Sequence, residues 1–162
     1  MRARSMSGLA LALVLSGCGA ASRPGPKTVD PATLTAEVMA AAHARIDALN
    51  AHDAEKNVSA DLPDVVVMSH GAANDVGVAA DLATTRAMLA DPRAHVDLSA
   101  ESVDLGGSDF AVYHSTYVLT LTDPKSKGPV RERGNLLLGF RRQPDGALKV
   151  AWEIASDLPP AK

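Results

Sequence analysis

The chain has a single cysteine, Cys18, which excludes an intrachain disulfide and any CxxC-type zinc or redox site. Aromatic residues make up only 3% of it, too few for a platform on which nucleic-acid bases stack. Basic residues do not cluster beyond Arg131-Glu132-Arg133 and Arg141-Arg142, and the formal net charge is −3, so no nucleic-acid partner is expected. An HExxH pair, a Gly-rich phosphate loop, a GxSxG turn and regular His/Asp metal spacing are all missing, and neither a metal nor a cofactor is expected. No apolar run approaches the roughly 20 residues that a membrane-spanning helix needs. What is present is a chain of 162 residues, 46% hydrophobic and 22% charged, an ordinary composition for one domain with a real core.

The N-terminus carries its own signal. Arg2 and Arg4 precede an apolar run from Gly8 to Leu15, and small residues lead to Cys18. The order Leu15-Ser16-Gly17-Cys18 resembles the lipobox of bacterial lipoproteins, in which cleavage falls before the cysteine and its thiol carries a diacylglyceryl group. The resemblance implies a signal peptide over residues 1–17, lipidation at Cys18, a lipid bilayer as partner and an extracytoplasmic location. Gly19 rather than Asp after the cysteine resembles outer-membrane sorting. The alternative is an ordinary signal peptide that leaves Cys18 free. Residues 18–32 are small, polar and rich in Pro and Gly, as a tether is. The domain is expected over 33–158, with a short tail at 159–162.

Within that domain, Leu34, Val38, Ala42, Ile46 and Leu49 recur at helical spacing, with Asp30-Pro31 as cap and first-turn proline. The spacing predicts a helix of about 16–20 residues with one apolar stripe. Glu37, His43, Arg45 and Asp47 fall on the opposite, solvated side, with Arg45 near the boundary. Asp53 is placed to cap a short second helix, AEKNVSA. A β-branched strand, Val65 to His70, is followed by a loop from Gly71 to Val78 and a third helix over about Asp81 to Ala90, halted at Asp91-Pro92.

After that helix the chain is all strand. The alternation Val96, Leu98, Ala100 changes phase at Val103 and Leu105, which predicts a bulge near Glu101-Ser102. Turns are expected at Gly106 to Asp109, at Asp123 to Pro129 and at Gln143-Pro144-Asp145-Gly146. In the last segment Leu148, Val150, Trp152 and Ile154 share one face, opposite Lys149, Ala151, Glu153 and Ala155. Early helices and late strands give an α+β class, with the N-terminal helices packed on a strongly curved antiparallel sheet.

The order helix, short helix, VVVMSHG, loop to Gly77, helix, GSDFAVYHSTYVLTL, a Gly134-led strand and RRQPDGALKVAWEIASD resembles the SnoaL-like domains of the nuclear-transport-factor-two superfamily, which includes ketosteroid isomerase. The resemblance spans about residues 33–157 and implies a cone-shaped fold enclosing a pocket, often in homodimers. A tryptophan common at the start of the family's final strand is Leu148 here, and Trp152 comes four residues later.

The candidate chemistry is sparse. His70, at a strand end beside a glycine loop containing Asp75, is either a general base oriented by that carboxylate or a solvent-exposed strand end. His114 is opposite in phase to Tyr113 and Tyr117, so either the histidine or the tyrosines point inward. An inward Tyr117 either fills the core or donates to a developing oxyanion. Trp152 is expected buried, Glu153 solvated, and Asp104 and Asp157 are acids without an assigned partner. Met68, His70, His114, Tyr117 and Trp152 are the expected ligand-lining residues, and His70, Asp75 and Tyr117 the catalytic candidates. The ketosteroid isomerase catalytic set does not map onto these positions. Three readings follow: a lipid-anchored domain whose mostly apolar cavity binds a small molecule, such as a small apolar ligand, or a partner; a pocket isomerase, cyclase or hydrolase with His70 or Asp75 as base; and a structural dimerisation module.

Overall fold

A computed structural model describes residues 29–158. The signal peptide, Cys18, most of the tether and the tail lie outside the described residues. Among the described residues no helix is long and apolar enough to cross a membrane.

The first helix, α1, spans Pro31–Asn50. Asp30 caps it, its carboxylate accepting from the Thr33 backbone N–H at 3.1 Å. All five residues of the expected stripe are buried, from Leu34 to Leu49. The side assigned to solvent is not uniformly wet, because Arg45 is buried as well. A short α2, Ala54–Val58, follows, with the Asp53 carboxylate accepting from the Lys56 N–H at 2.9 Å. Strand β1 runs Asp61–Ser69, so it starts four residues before the expected Val65 and takes in Leu62-Pro63-Asp64. Asp75–Val76 form a two-residue β2, and α3 spans Val78–Leu89, starting three residues before the expected Asp81. Gly77 begins α3 at φ +84, and a Cβ there would sit 3.2 Å from the Pro63 carbonyl oxygen.

The remaining strands are β3 (His95–Leu105), β4 (Phe110–Thr122), β5 (Pro129–Arg142) and β6 (Leu148–Asp157). They form one six-stranded sheet in the order β2-β1-β6-β5-β4-β3. β3 to β6 pair antiparallel as expected, but β1 pairs parallel to β6, which makes the sheet mixed. The β3 bulge falls between Ser99 and Ser102, with Ala100 at φ 53.

A second irregularity alters the reading of β6. Val150 pairs with Phe140 and Trp152 with Gly139, so Ala151 is an extra residue that reverses the phase. Leu148 packs on the core and Val150 is fully buried, whereas Trp152 and Ile154 lie on the opposite, outer face. Glu153, Ala155 and Asp157 turn inward instead. Trp152 covers Gly139 so closely that a Cβ there would stand 2.1 Å from the indole. Helix α1 closes the inner face through Leu34, Val38, Ala42 and Ile46, packed against Val65, Tyr113, Leu138 and Phe140. At about 25 cal/mol per Å² of buried apolar surface, this layer is the main stabilising term of the fold.

Candidate functional site

The space left between the C-terminal half of α1, α3 and the inner face of the sheet is a cavity of about 270 Å³. Its middle is aliphatic, with Ile46 and Leu49 from α1, Met88 from α3 and Val67, Leu119 and Leu136 from the sheet. Each sheet residue is there because strand alternation puts it on the side of Leu138 and Phe140, both fully buried.

One end of the cavity is ionic. Arg45 reaches four partners on four different elements. Its Nε donates to Glu153 at 3.2 Å, Nη1 to Asp61 at 2.6 Å and to the Asn57 carbonyl at 2.9 Å, and Nη2 to Asp81 at 2.9 Å. Nη2 also lies 3.0 Å from Glu153. The Asn57 side-chain amide in turn donates to the Arg45 carbonyl, tying α2 to α1. Burial alone would lower the Arg45 pKa, but Glu153, Asp61 and Asp81 together reverse this and raise it, so the guanidinium stays charged. Three carboxylates around one cation leave excess negative charge. Desolvation pushes Asp61 up to about 8, against the pull of Arg45 and with repulsion from Asp81 and Glu153 adding to the rise. Burial and like-charge repulsion thus favour a proton within the cluster.

The other end is the mouth, where Tyr117, Glu132, Asp157, Ser69 and His70 meet. Tyr117, Gly134 and Asp157 lie in register across β4, β5 and β6. Gly134 leaves room for the phenol ring, since a Cβ there would stand 2.4 Å from it. The Tyr117 hydroxyl donates to Asp157 Oδ1 at 3.3 Å. Burial pushes its pKa up to about 12, and Asp157, Glu132 and Glu153 add to the shift.

The candidates of the sequence reading divide accordingly. His70 and Tyr117 line the cavity. Asp75, in β2 at the edge of the sheet, is not part of the cavity wall and makes no hydrogen bond to His70. Met68 and Trp152 fall on the outer face, opposite Ile154 and Gly139. His114 is outside too, 3.0 Å from Asp104, because it is Tyr113 and Tyr117 that point inward. Tyr113 is fully buried and donates to Glu101 at 2.7 Å, and the same carboxylate meets His43 at 2.5 Å. Arg45, Glu153 and Asp157 belong to the cavity wall, although Glu153 was assigned to solvent. The one signal that could have found Arg45 was its place at the edge of the apolar stripe, one residue before Ile46. Among the described residues no group of three or more His, Cys, Asp or Glu is arranged to hold a metal.

Similar structures share this layout. A ketosteroid isomerase-like protein from Erwinia carotovora atroseptica SCRI1043 is 20% identical at a TM-score of 0.69, covering 78% of this chain and 97% of that one. An NTF2-like protein with a cystatin-like fold from Novosphingobium aromaticivorans is 22% identical at 0.64, covering 78% and 82%. The chain has the NTF2-like fold. An uncharacterized protein with a cystatin-like fold from Caulobacter vibrioides, 15% identical at 0.69 and covering 77% and 89%, shares the NTF2-like arrangement as well. No protein-family model and no curated protein matches the sequence. At these identities the likeness is one of fold, and function has to be argued from the site.

Proposed function

We propose that this NTF2-like domain binds a small molecule in the cavity between α1, α3 and the sheet, and that acylated Cys18 anchors it at the outer side of a bacterial membrane. The observation that carries the binding reading is an aliphatic hollow with polar groups confined to its two ends, the composition of a ligand site. The apolar body of the ligand packs on Ile46, Leu136 and Leu119, and the mouth residues fix its orientation. Catalysis has less support. Among the described residues no carboxylate is hydrogen-bonded to His70, and the Tyr117 hydroxyl is committed to Asp157, where a developing oxyanion would meet negative charge.

Native mass spectrometry of the protein, purified without denaturation, tests the binding reading. The parent is expected to carry a non-covalent small mass that Ala155→Phe, which fills the cavity, has lost. Retention of the same mass by the variant would place the ligand elsewhere. A bare parent that also gains no thermal stability from a metabolite panel would remove the reading. For the anchor, support comes from the order Leu15-Ser16-Gly17-Cys18 behind Arg2 and Arg4. Intact-mass analysis is expected to find a diacylglyceryl adduct on Cys18, and Cys18→Ser is expected to leave the membrane fraction.

A further inference from the structure

The charges that face the cavity are nearly all of one sign. Asp81, Glu153, Glu132 and Asp157 line it, and among the described residues Arg45 is the one Lys or Arg in the wall. Arg45 is already engaged. Four of its N–H groups donate, to Glu153, Asp61, Asp81 and the Asn57 carbonyl, at distances from 2.6 to 3.2 Å, and Nη2 also lies 3.0 Å from Glu153. An anionic ligand would therefore compete with three acidic side chains for the guanidinium and would face the remaining carboxylates.

Strand register explains why the mouth is acidic although its sequence is not. In Arg131-Glu132-Arg133 the pairing partners are Thr120, Leu119 and Val118. Only Glu132, opposite the cavity-lining Leu119, takes the inner face, and alternation sends both arginines outward. Asp157 pairs with Gly134, two residues along from Glu132, so the two exposed carboxylates are diagonal neighbours across β5 and β6. The Tyr117 ring lies beside them over Gly134. Carboxylates and an aromatic face are the two elements that hold an ammonium group, and the aliphatic middle lies directly behind them.

We propose, resting on the cavity-binding reading above, that the occupant is a small organic cation: a protonated or quaternary amine held at the mouth by Asp157, Glu132 and the Tyr117 ring, with its apolar body inside. Asp157 is the principal anchor, because Tyr117 already orients one of its oxygens. Glu132 supplies the second charge, and Arg45, held by Asp61, Asp81 and Glu153, is not free to pair with an anion in their place.

The test is isothermal titration of the purified protein with three probes of one shape, phenethylammonium, phenethyl alcohol and phenylacetate. Phenethylammonium is expected to bind about tenfold or more tightly than the alcohol, the scale of a charge-assisted hydrogen bond in a partly enclosed site, and phenylacetate is expected not to bind. Asp157→Asn and Glu132→Gln, both exposed positions, are expected to weaken the ammonium several-fold more than they weaken the alcohol. Equal affinity for ammonium and alcohol, or a preference for phenylacetate, would overturn the cation proposal while leaving the cavity as a binding site. Absence of binding by all three, in a protein that native mass spectrometry also finds bare, would remove both.

Discussion

Arg45 Nη1 lies 2.6 Å from Asp61 Oδ1, with 4% and 0% of the two side chains exposed. The pair joins the middle of α1 to the start of β1, and Asp81 brings in α3. Truncating the cation would leave three acidic side chains facing each other with no cation between them. Arg45→Met is therefore expected to cost about 3–5 kcal/mol, the range for breaking a buried pair from one side. Glu153→Gln removes one charge from the excess and is expected to cost less. Urea denaturation measures both, and an Arg45→Met protein as stable as the parent would contradict the assignment of the cluster.

The raised pKa of Asp61 makes stability depend on pH. Its folded-state pKa of about 8 lies above the ordinary 3.8, so the folded state binds the proton more tightly than the unfolded chain does. This contribution is fully present below about pH 4 and is lost as pH rises through about 8. Glu101 and Asp91 shift the other way, and their contributions are lost only as pH falls below the ordinary carboxylate range. Between pH 5 and 8 the unfolding free energy is therefore expected to fall with pH, more steeply in the parent than in Asp61→Asn. Parallel profiles for the two proteins would show that Asp61 is ionised throughout.

Gly139 is required by Trp152. A Cβ on residue 139 would stand 2.1 Å from the indole, so Gly139→Ala is expected to displace the ring and cost about 1–3 kcal/mol as overpacking does. Trp152 is the only tryptophan, and its fluorescence reports the displacement directly. With Trp152→Ala already in place, the further change Gly139→Ala is expected to cost much less. A full cost in both backgrounds would mean that the backbone, not the indole, limits residue 139.

The helices and turns were legible because their signals are local. Asp30 and Asp53 cap where their chemistry says they should, and the phase change in β3 marks its bulge. The same reasoning failed in β6. Leu148 to Ala155 reads as an unbroken alternation, and the unpaired Ala151 that reverses it leaves no trace in the order of residue types. That one residue moved Trp152 out of the cavity and Glu153 into it. Arg45 looked like a boundary residue of an exposed face because Asp61, Asp81 and Glu153 lie 16, 36 and 108 positions away. The parallel pairing of β1 with β6 is likewise a long-range fact that local pattern does not carry. Strand phase alone leaves open whether Tyr117 or His114 points inward, and the structure puts Tyr117, with His70, in the cavity wall.

The inner face of the sheet, not the outer one, is where the account puts a ligand, and NMR separates the two in a single titration. Methyl groups of Ile46, Leu119 and Leu136 line the cavity, whereas the Trp152 indole N–H and the Ile154 methyls lie on the far side. With phenethylammonium or phenethyl alcohol, whichever binds more tightly, the account expects saturable shifts at Ile46, Leu119 and Leu136 and none at Trp152 or Ile154. Saturable shifts confined to Trp152 and Ile154, with the cavity methyls unmoved, would contradict it.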